Sequence, residues 1–460
     1  MPQRPTIKPA HRTLISGAIA LACLQTTGHA AGFALWEQSV SDMGTAYAGI
    51  AATADSVDTL YFNPAGITRL PGTRTGAAVH LVLPQTEFNN EGTSFTPAIG
   101  AAVPIGGGDG GDAGGLAAVP HSYLSYQYSD QVWFGLAINA PFGLTTEYKS
   151  DWVGRYHAIK SAVKTINLNP SIAYKVNEKF SVAAGVSAMY LDGEFTNAID
   201  FGLLDVLAIP GNALAGWAGG ALGPGLADGK SKITGDAWGF GYNLGVLFEL
   251  TDDTRIGFHY RSEVEQDLEG EGRFTVPNPG LAAAGFSKTD IKASVDLPAT
   301  FSASAFHQLN PEWALMADYT WTGWSSIPEL RFKFENGLPD GVTTFDWEDT
   351  YRLSIGTRFQ PSGSKWTYRA GVAYDESPIK DAASRSARLP DSDRIWVALG
   401  ASYAPSEKLT IDAGYTHIFI NDPKIAKTGL DPEDVSRGAL SGSYESTVDL
   451  LSIEARYRFH

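Results

Sequence analysis

The chain has 460 residues, of which 43% are hydrophobic and 18% charged, and it carries a formal net charge of −16. Its apolar content excludes a disordered polymer, and the acidic balance argues against nucleic acid as a partner. No stretch reaches the ~18 consecutive apolar residues that a membrane-spanning helix needs.

The longest apolar run, Leu14 to Leu24, follows Arg4, Lys8 and Arg12 and precedes Gly28-His29-Ala30. A basic start, a short apolar core and a small-x-small end predict a secretory signal over 1–30. The only cysteine, Cys23, lies inside it. The remaining chain therefore excludes zinc, iron–sulfur and thiol chemistry and disulfides, and neither a metal nor a cofactor is expected. Ala31 to Ala54 is rich in Ala, Gly and Ser, with Leu35, Trp36, Val40, Met43 and Tyr47 at spacings that suit short helical turns. The segment continues to Asn63-Pro64-Ala65 and predicts a compact N-terminal unit over 31–71.

From residue 72 onward the pattern changes to a period of two. Trp238, Phe240, Tyr242, Leu244, Val246, Phe248 and Leu250 alternate with Gly239, Gly241, Asn243, Gly245, Leu247 and Glu249. One wholly apolar face opposite a small or polar one is the mark of a barrel strand in lipid. The same alternation predicts about fourteen strands, near 72–88, 117–129, 131–142, 161–177, 179–195, 234–251, 253–267, 294–309, 312–326, 348–360, 365–376, 391–404, 407–420 and 444–459. Short turns such as Ser129-Asp130, Asn177-Glu178 and Asn310-Pro311 alternate with long connections. That parity fits tight periplasmic turns and long external loops, and puts both chain ends on the periplasmic side. The expected fold is an all-β transmembrane β-barrel of about 14 antiparallel strands over 72–460. It must be closed, because an open edge would leave backbone groups unpaired in lipid. A lumen of that width calls for a filling, and a small N-terminal helical hatch is the economical one.

Two places carry functional signals. Pro141 and Gly143 flank Phe142 at the end of the third strand, where proline removes a ladder donor and glycine favours a bend. The strand is either kinked there or stops at Ala140. The connection 196–233 presents Phe201, Leu204, Leu207, Leu214 and Trp217, and Pro210-Gly211 divides it into two expected short helices. Leu281 and Phe286 belong to the next long connection. Facing apolar loops would make an external groove worth ~0.8 kcal/mol per buried CH₂; the alternative is that the helices bury those residues on each other as a lid. For a carboxylate, Arg155, Lys160 and Lys292 are candidates at the loops, and Arg352, Arg358 or Arg369 in the lumen.

Ala31-Gly32-Phe33-Ala34-Leu35, Asn63-Pro64-Ala65, Pro141-Phe142-Gly143-Leu144, Trp152-Val153-Gly154-Arg155-Tyr156, Asn169-Pro170-Ser171, Asp375-Glu376-Ser377-Pro378 and Leu389-Pro390-Asp391-Ser392-Asp393-Arg394 occur in this order. The set resembles the FadL family of long-chain fatty-acid and hydrocarbon transporters of the outer membrane. The resemblance implies a fourteen-strand barrel blocked by a hatch, an external apolar groove, a deeper pocket beside the hatch, and sideways exit at a kink in the third strand. It would place Asn63-Pro64-Ala65 beside that kink. The family's deep-pocket basic residues find no match here, which keeps neutral alkanes and alkylbenzenes open beside fatty acids. Implied partners are hydrophobic small molecules, outer-membrane lipid and lipopolysaccharide, and the barrel-assembly machinery during biogenesis. A monomer working by passive diffusion is expected. A general diffusion porin is the alternative. An outer-membrane hydrolase is the weaker rival, since the scattered histidines accompany no nucleophile motif.

Overall fold

The computed structural model describes residues 32–92, 104–207, 214, 216 and 223–459. The expected signal over 1–30 lies outside them. Fourteen barrel strands follow in order. They are Thr73–Asn90, Ala117–Gln127, Val132–Asn139 continued by Gly143–Glu147, Lys160–Asn177, Phe180–Asp200, Asp228–Glu249, Thr254–Arg261 continued by Val264–Thr275, Thr289–Leu297 continued by Thr300–Gln308, Trp313–Thr322, Thr350–Phe359, Trp366–Asp375, Arg394–Tyr403, Leu409–Ile420 and Leu440–Arg458. Each pairs antiparallel with the next. The last pairs with the first from Arg74↔Arg458 to Asn90↔Gly442, so the sheet closes.

The alternation decides which way each side chain points. Trp238, Phe240, Tyr242 and Leu244 are 48–73% exposed on the outer wall, while Asn243, His259, Arg261, Arg352 and Asp412 are buried inside. An apolar exterior and polar interior reverse the soluble pattern, as lipid requires. Short turns at 128–131, 178–179 and 250–253 share one end of the barrel, and the long connections share the other.

Three strands are interrupted. In the seventh, the register on the sixth slips by one residue between Asn243↔Arg261 and Asp236↔Glu269. Ser262 takes up the slack, donating its amide to the Tyr242 carbonyl (2.8 Å) and accepting the Tyr242 amide on Oγ (2.9 Å). This is a β-bulge that bends the wall. The break in the third strand has a different character and is described below.

Residues 32–72 lie within the barrel. They form helical turns at Val40–Met43 and Thr59–Phe62 and a 3₁₀ turn at Pro64–Arg69. Ser39 caps the first by accepting the Asp42 amide, and Pro64 starts the last, where its fixed φ fits. So little regular structure leaves many carbonyls free, and barrel arginines satisfy them. Arg255 donates to Ala52 O (3.0 Å) and Thr53 O (2.8 Å), Arg261 to Tyr61 O (3.0 Å), and Arg352 to Ala46 O (3.0 Å). Two wall glycines let the segment touch the strands. A Cβ at Gly257 would fall 1.8 Å from Ala51 O, and one at Gly371 2.0 Å from Thr45 O. Only bare backbone fits there.

Two expectations about the loops change. The fifth and sixth strands keep pairing outward to Asp200↔Asp228, so both ends of 196–233 are strand rather than helix. One helix, Phe201–Val206, follows, and much of the second expected helix falls outside the described residues. The ninth connection also contains an unexpected hairpin, Glu329–Phe334 with Gly341–Thr344.

Candidate ligand path

The second and third strands pair only as far as Ser122↔Ile138. The third strand stays on the fourth to Asn139↔Asn167, then leaves the wall and returns at Gly143↔Lys164, again on the fourth alone. Residues 117–121 thus keep one neighbouring strand, the first. Pro141 has no N–H to offer a ladder, and the backbone groups around it turn inward. Leu35 N donates to Pro141 O (2.7 Å), Gly143 N to Phe33 O (2.9 Å), and Gln38 Nε2 to Ala140 O (2.7 Å). Phe142 N donates to Thr165 Oγ1 (3.0 Å). Three residues, 140–142, leave the wall, and the hydrogen bonds just named are met from the inner segment or from the fourth strand.

Asn63 makes its hydrogen bonds away from this break. Its Nδ2 donates to Ala51 O (2.7 Å) and to Val246 O on the sixth strand (2.9 Å), and its Oδ1 accepts the Ala65 amide (3.1 Å). The Asn63-Pro64-Ala65 motif therefore ties the inner segment to the sixth strand, while Phe33, Leu35 and Gln38 face the break.

Aromatic rings run upward from it. Phe33 lies 5.7 Å from Phe142, 5.2 Å from Trp324 and 6.1 Å from Trp347 between ring centroids. Trp347 stacks on Phe345 at 4.5 Å. All belong to one buried apolar cluster that also holds Leu144, Phe195, Ile233 and Phe332. Ile233, Phe332 and Phe345 in turn line a cavity of about 930 Å³ among the external loops. Of the residues expected in an external groove, Leu204, Leu214 and Phe286 line this cavity. Phe201 and Leu281 instead bury against each other, both 0% exposed, and Leu207 packs with Ile105, Tyr156 and Ile159. Those three hold the loops together. Trp217 lies outside the described residues.

The expected carboxylate partners are scattered. Arg155 donates to Asp228 (2.8 Å) and to Gly106 O (2.7 Å). Lys160 is shared by Glu147 (3.6 Å) and Glu194 (3.5 Å). Arg352 is buried over the Trp36 and Trp396 rings with Asp375 at 4.0 Å. Arg331, Arg388, Lys427 and Arg437 line the cavity, none of them singled out by the sequence, and Arg388 is the buried one. It is 6% exposed and bonds only neutral acceptors, Ser161 Oγ (3.2 Å) and Asn197 Oδ1 (3.4 Å), with Nε unpartnered. Burial, and then neighbouring Arg437, push its pKa down to about 9. Its neighbour Leu389 began one of the family motifs, but nothing in the local pattern distinguished Arg388 from a loop cation. Trp324, Phe345 and Trp347 were missed too; their aromatic density in a long external connection was the available signal.

A closed antiparallel barrel with a greasy outer wall and short turns at one end is an outer-membrane β-barrel. The family described as outer membrane protein transport protein (OMPP1/FadL/TodX) has a model that matches residues 21–459, and this chain belongs to that family. Members are transporters rather than enzymes, and their place is the outer membrane. The chain is 32% identical over 441 residues to the long-chain fatty acid transport protein of Salmonella typhi, covering 93% of this chain and 96% of that one. It is 30% identical over 443 residues to the protein of the same name from Escherichia coli K12, covering 93% and 96%. Among solved structures, a Pseudomonas aeruginosa FadL homologue superposes with a TM-score of 0.82 at 25% identity, over 93% of this chain and 100% of that one. The Pseudomonas putida toluene transporter TodX shares the fold, with a TM-score of 0.66 at 18% identity over 95% and 99%.

Proposed function

We propose that this protein is a passive conduit for long-chain fatty acids, which enter at the external cavity, descend the aromatic path and leave sideways into the bilayer at the break in the third strand. The observation that carries this reading is the continuity of one buried apolar cluster from Phe332 and Phe345 at the cavity to Phe33, Phe142 and Leu144 at the break. An acyl chain of sixteen carbons moving along it would stay out of water at ~0.8 kcal/mol per CH₂. Residues 32–71 act as a hatch that closes the route to the periplasm, so the wall opening is the outlet.

Arg388 supports an acidic headgroup over a neutral hydrocarbon. A buried guanidinium that forms no ion pair among the described residues is costly, and a ligand carboxylate would relieve it with a bidentate pair. The relatives named as long-chain fatty acid transport proteins agree. A general porin is disfavoured by the hatch and by the apolar lining.

Because the chain after the signal has no cysteine, a single new thiol reports cleanly. Phe142→Cys should import labelled oleate until a bulky maleimide is attached, and then stop while still binding it. Import at the unmodified rate by the fully labelled protein would refute lateral exit.

A further inference from the structure

Away from that path, three buried donors converge between the inner segment and the wall. Asp58 of the inner segment, His121 of the second strand and Glu454 of the fourteenth each offer a ligand atom, all within 4.8 Å of one another. Asp58 Oδ1, His121 Nε2 and both Glu454 oxygens have no hydrogen-bond partner, although the residues are 0%, 3% and 1% exposed. The nearest guanidinium, Arg456, gives its bonds to Asp412 (2.6 and 2.7 Å). Ser39 Oγ donates to the other Asp58 oxygen (2.9 Å), and His121 Nε2 lies 3.8 Å from Glu454 Oε1. The two acidic side chains still share a buried site, which is unfavourable unless a proton or a cation sits between them.

A second observation concerns the chain behind His121. Ser452 Oγ lies 3.3 Å from Met43 Sδ and 2.7 Å from His80 Nδ1, and His80 Nε2 lies 3.3 Å from His121 Nδ1. In the tautomer where His121 Nδ1 donates to His80, the His121 Nε2 lone pair is turned toward the two carboxylates. Metal-ligating histidines are held in this way, the far nitrogen donating to a fixed acceptor. The first strand approaches the donors closely at Gly76, where a Cβ would fall 2.9 Å from both Glu454 Oε1 and Val57 Cγ1 and 3.4 Å from Asp58 Oδ1.

We propose that Asp58, His121 and Glu454 hold a divalent transition-metal ion, with zinc the ion their nitrogen and oxygen set suits. Metal–ligand bonds of ~2.0–2.2 Å would draw the donors together by a few tenths of an ångström. The absence of cysteine excludes thiolate sites only, so the sequence-based exclusion of zinc narrows to those. The ion would clamp the inner segment to the second and fourteenth strands, on the very strand that lacks a partner at the break. The rival occupant is a proton shared between Asp58 and Glu454.

Tag-free, detergent-purified protein, stripped with chelator and dialysed against zinc chloride, should carry one zinc per barrel by elemental mass spectrometry. Glu454→Gln and Asp58→Asn should lose it, and His80→Ala should weaken it ~10–100-fold. Chelation should also make 32–70 more susceptible to protease. Barrel folding is checked by heat-modifiable gel mobility. Asp58→Asn lies outside the wall and leaves the strands intact, so it remains informative if Glu454→Gln does not fold. Wild-type protein that takes up no zinc would favour the shared proton and overturn the proposal, as would zinc retained in folded Asp58→Asn.

Discussion

Replacing Gly257 and Gly371 by alanine tests whether the inner segment stops the lumen. The added methyl at 257 would sit 1.8 Å from Ala51 O, and that at 371 2.0 Å from Thr45 O. A carbon and a carbonyl oxygen need ~3.3 Å, so the segment must back away by roughly 1.5 Å at each point. Ala51 cannot move that far and keep its bonds, since its amide donates to Ser304 Oγ (2.9 Å) and its carbonyl accepts from Asn63 (2.7 Å). At about 1 kcal/mol for each lost bond, with Arg255 loosened as well, docking weakens by about 3 kcal/mol, or some hundredfold. The double variant should raise single-channel conductance in planar bilayers and admit protease to 32–70, while the barrel still shows heat-modifiable mobility. A folded double variant with wild-type conductance and a protected inner segment would refute the reasoning.

Arg388→Leu should weaken oleate binding by about 2 kcal/mol, tens of fold, leave toluene binding unchanged, and raise Tm slightly because an unpaired buried charge is gone; isothermal titration and differential scanning calorimetry would show it. Phe33→Ala, which removes a ring touching Phe142, Trp324 and Trp347, should lower oleate affinity about tenfold through lost aromatic contact and burial, read by fluorescence displacement. Burial pushes the Glu37 carboxyl up to about 7, its backbone hydrogen bond and Arg394 and Arg352 offsetting only part. Since the docked form holds the proton more tightly than the released one, docking is strongest below the usual carboxylate range and weakens as pH rises toward 7, by about 3 kcal/mol in all. Conductance should therefore increase from pH 4.5 to 7.5, and Glu37→Gln should flatten the profile.

The barrel was legible because lipid imposes a period of two that no other environment explains so well. Strand positions followed from faces such as Trp313, Leu315, Ala317 and Tyr319, and the turn parity from their spacing. The strand ends were less legible where pairing continues beyond the membrane. There Thr196 faces Lys232 and Asp200 faces Asp228, an alternation without a greasy side, which reads as loop. The site was legible only where backbone chemistry marks it. Pro141 and Gly143 announced a break by the donor one lacks and the side chain the other lacks. Arg388 and Trp347 act through partners far away in the chain, and Asn63 reaches the sixth strand across 183 positions. No local pattern carries that information.

The sixth strand runs for 22 residues. Rising ~3.4 Å per residue and tilted ~40°, it stands about 55 Å tall against a greasy belt of ~25 Å. The protein is thus a chimney, and its mouth opens well above the lipid headgroups, out among the sugars that coat the cell. A solute too oily to cross that hydrated coat meets the protein at its outer rim, and the first dry place it finds is already inside the wall.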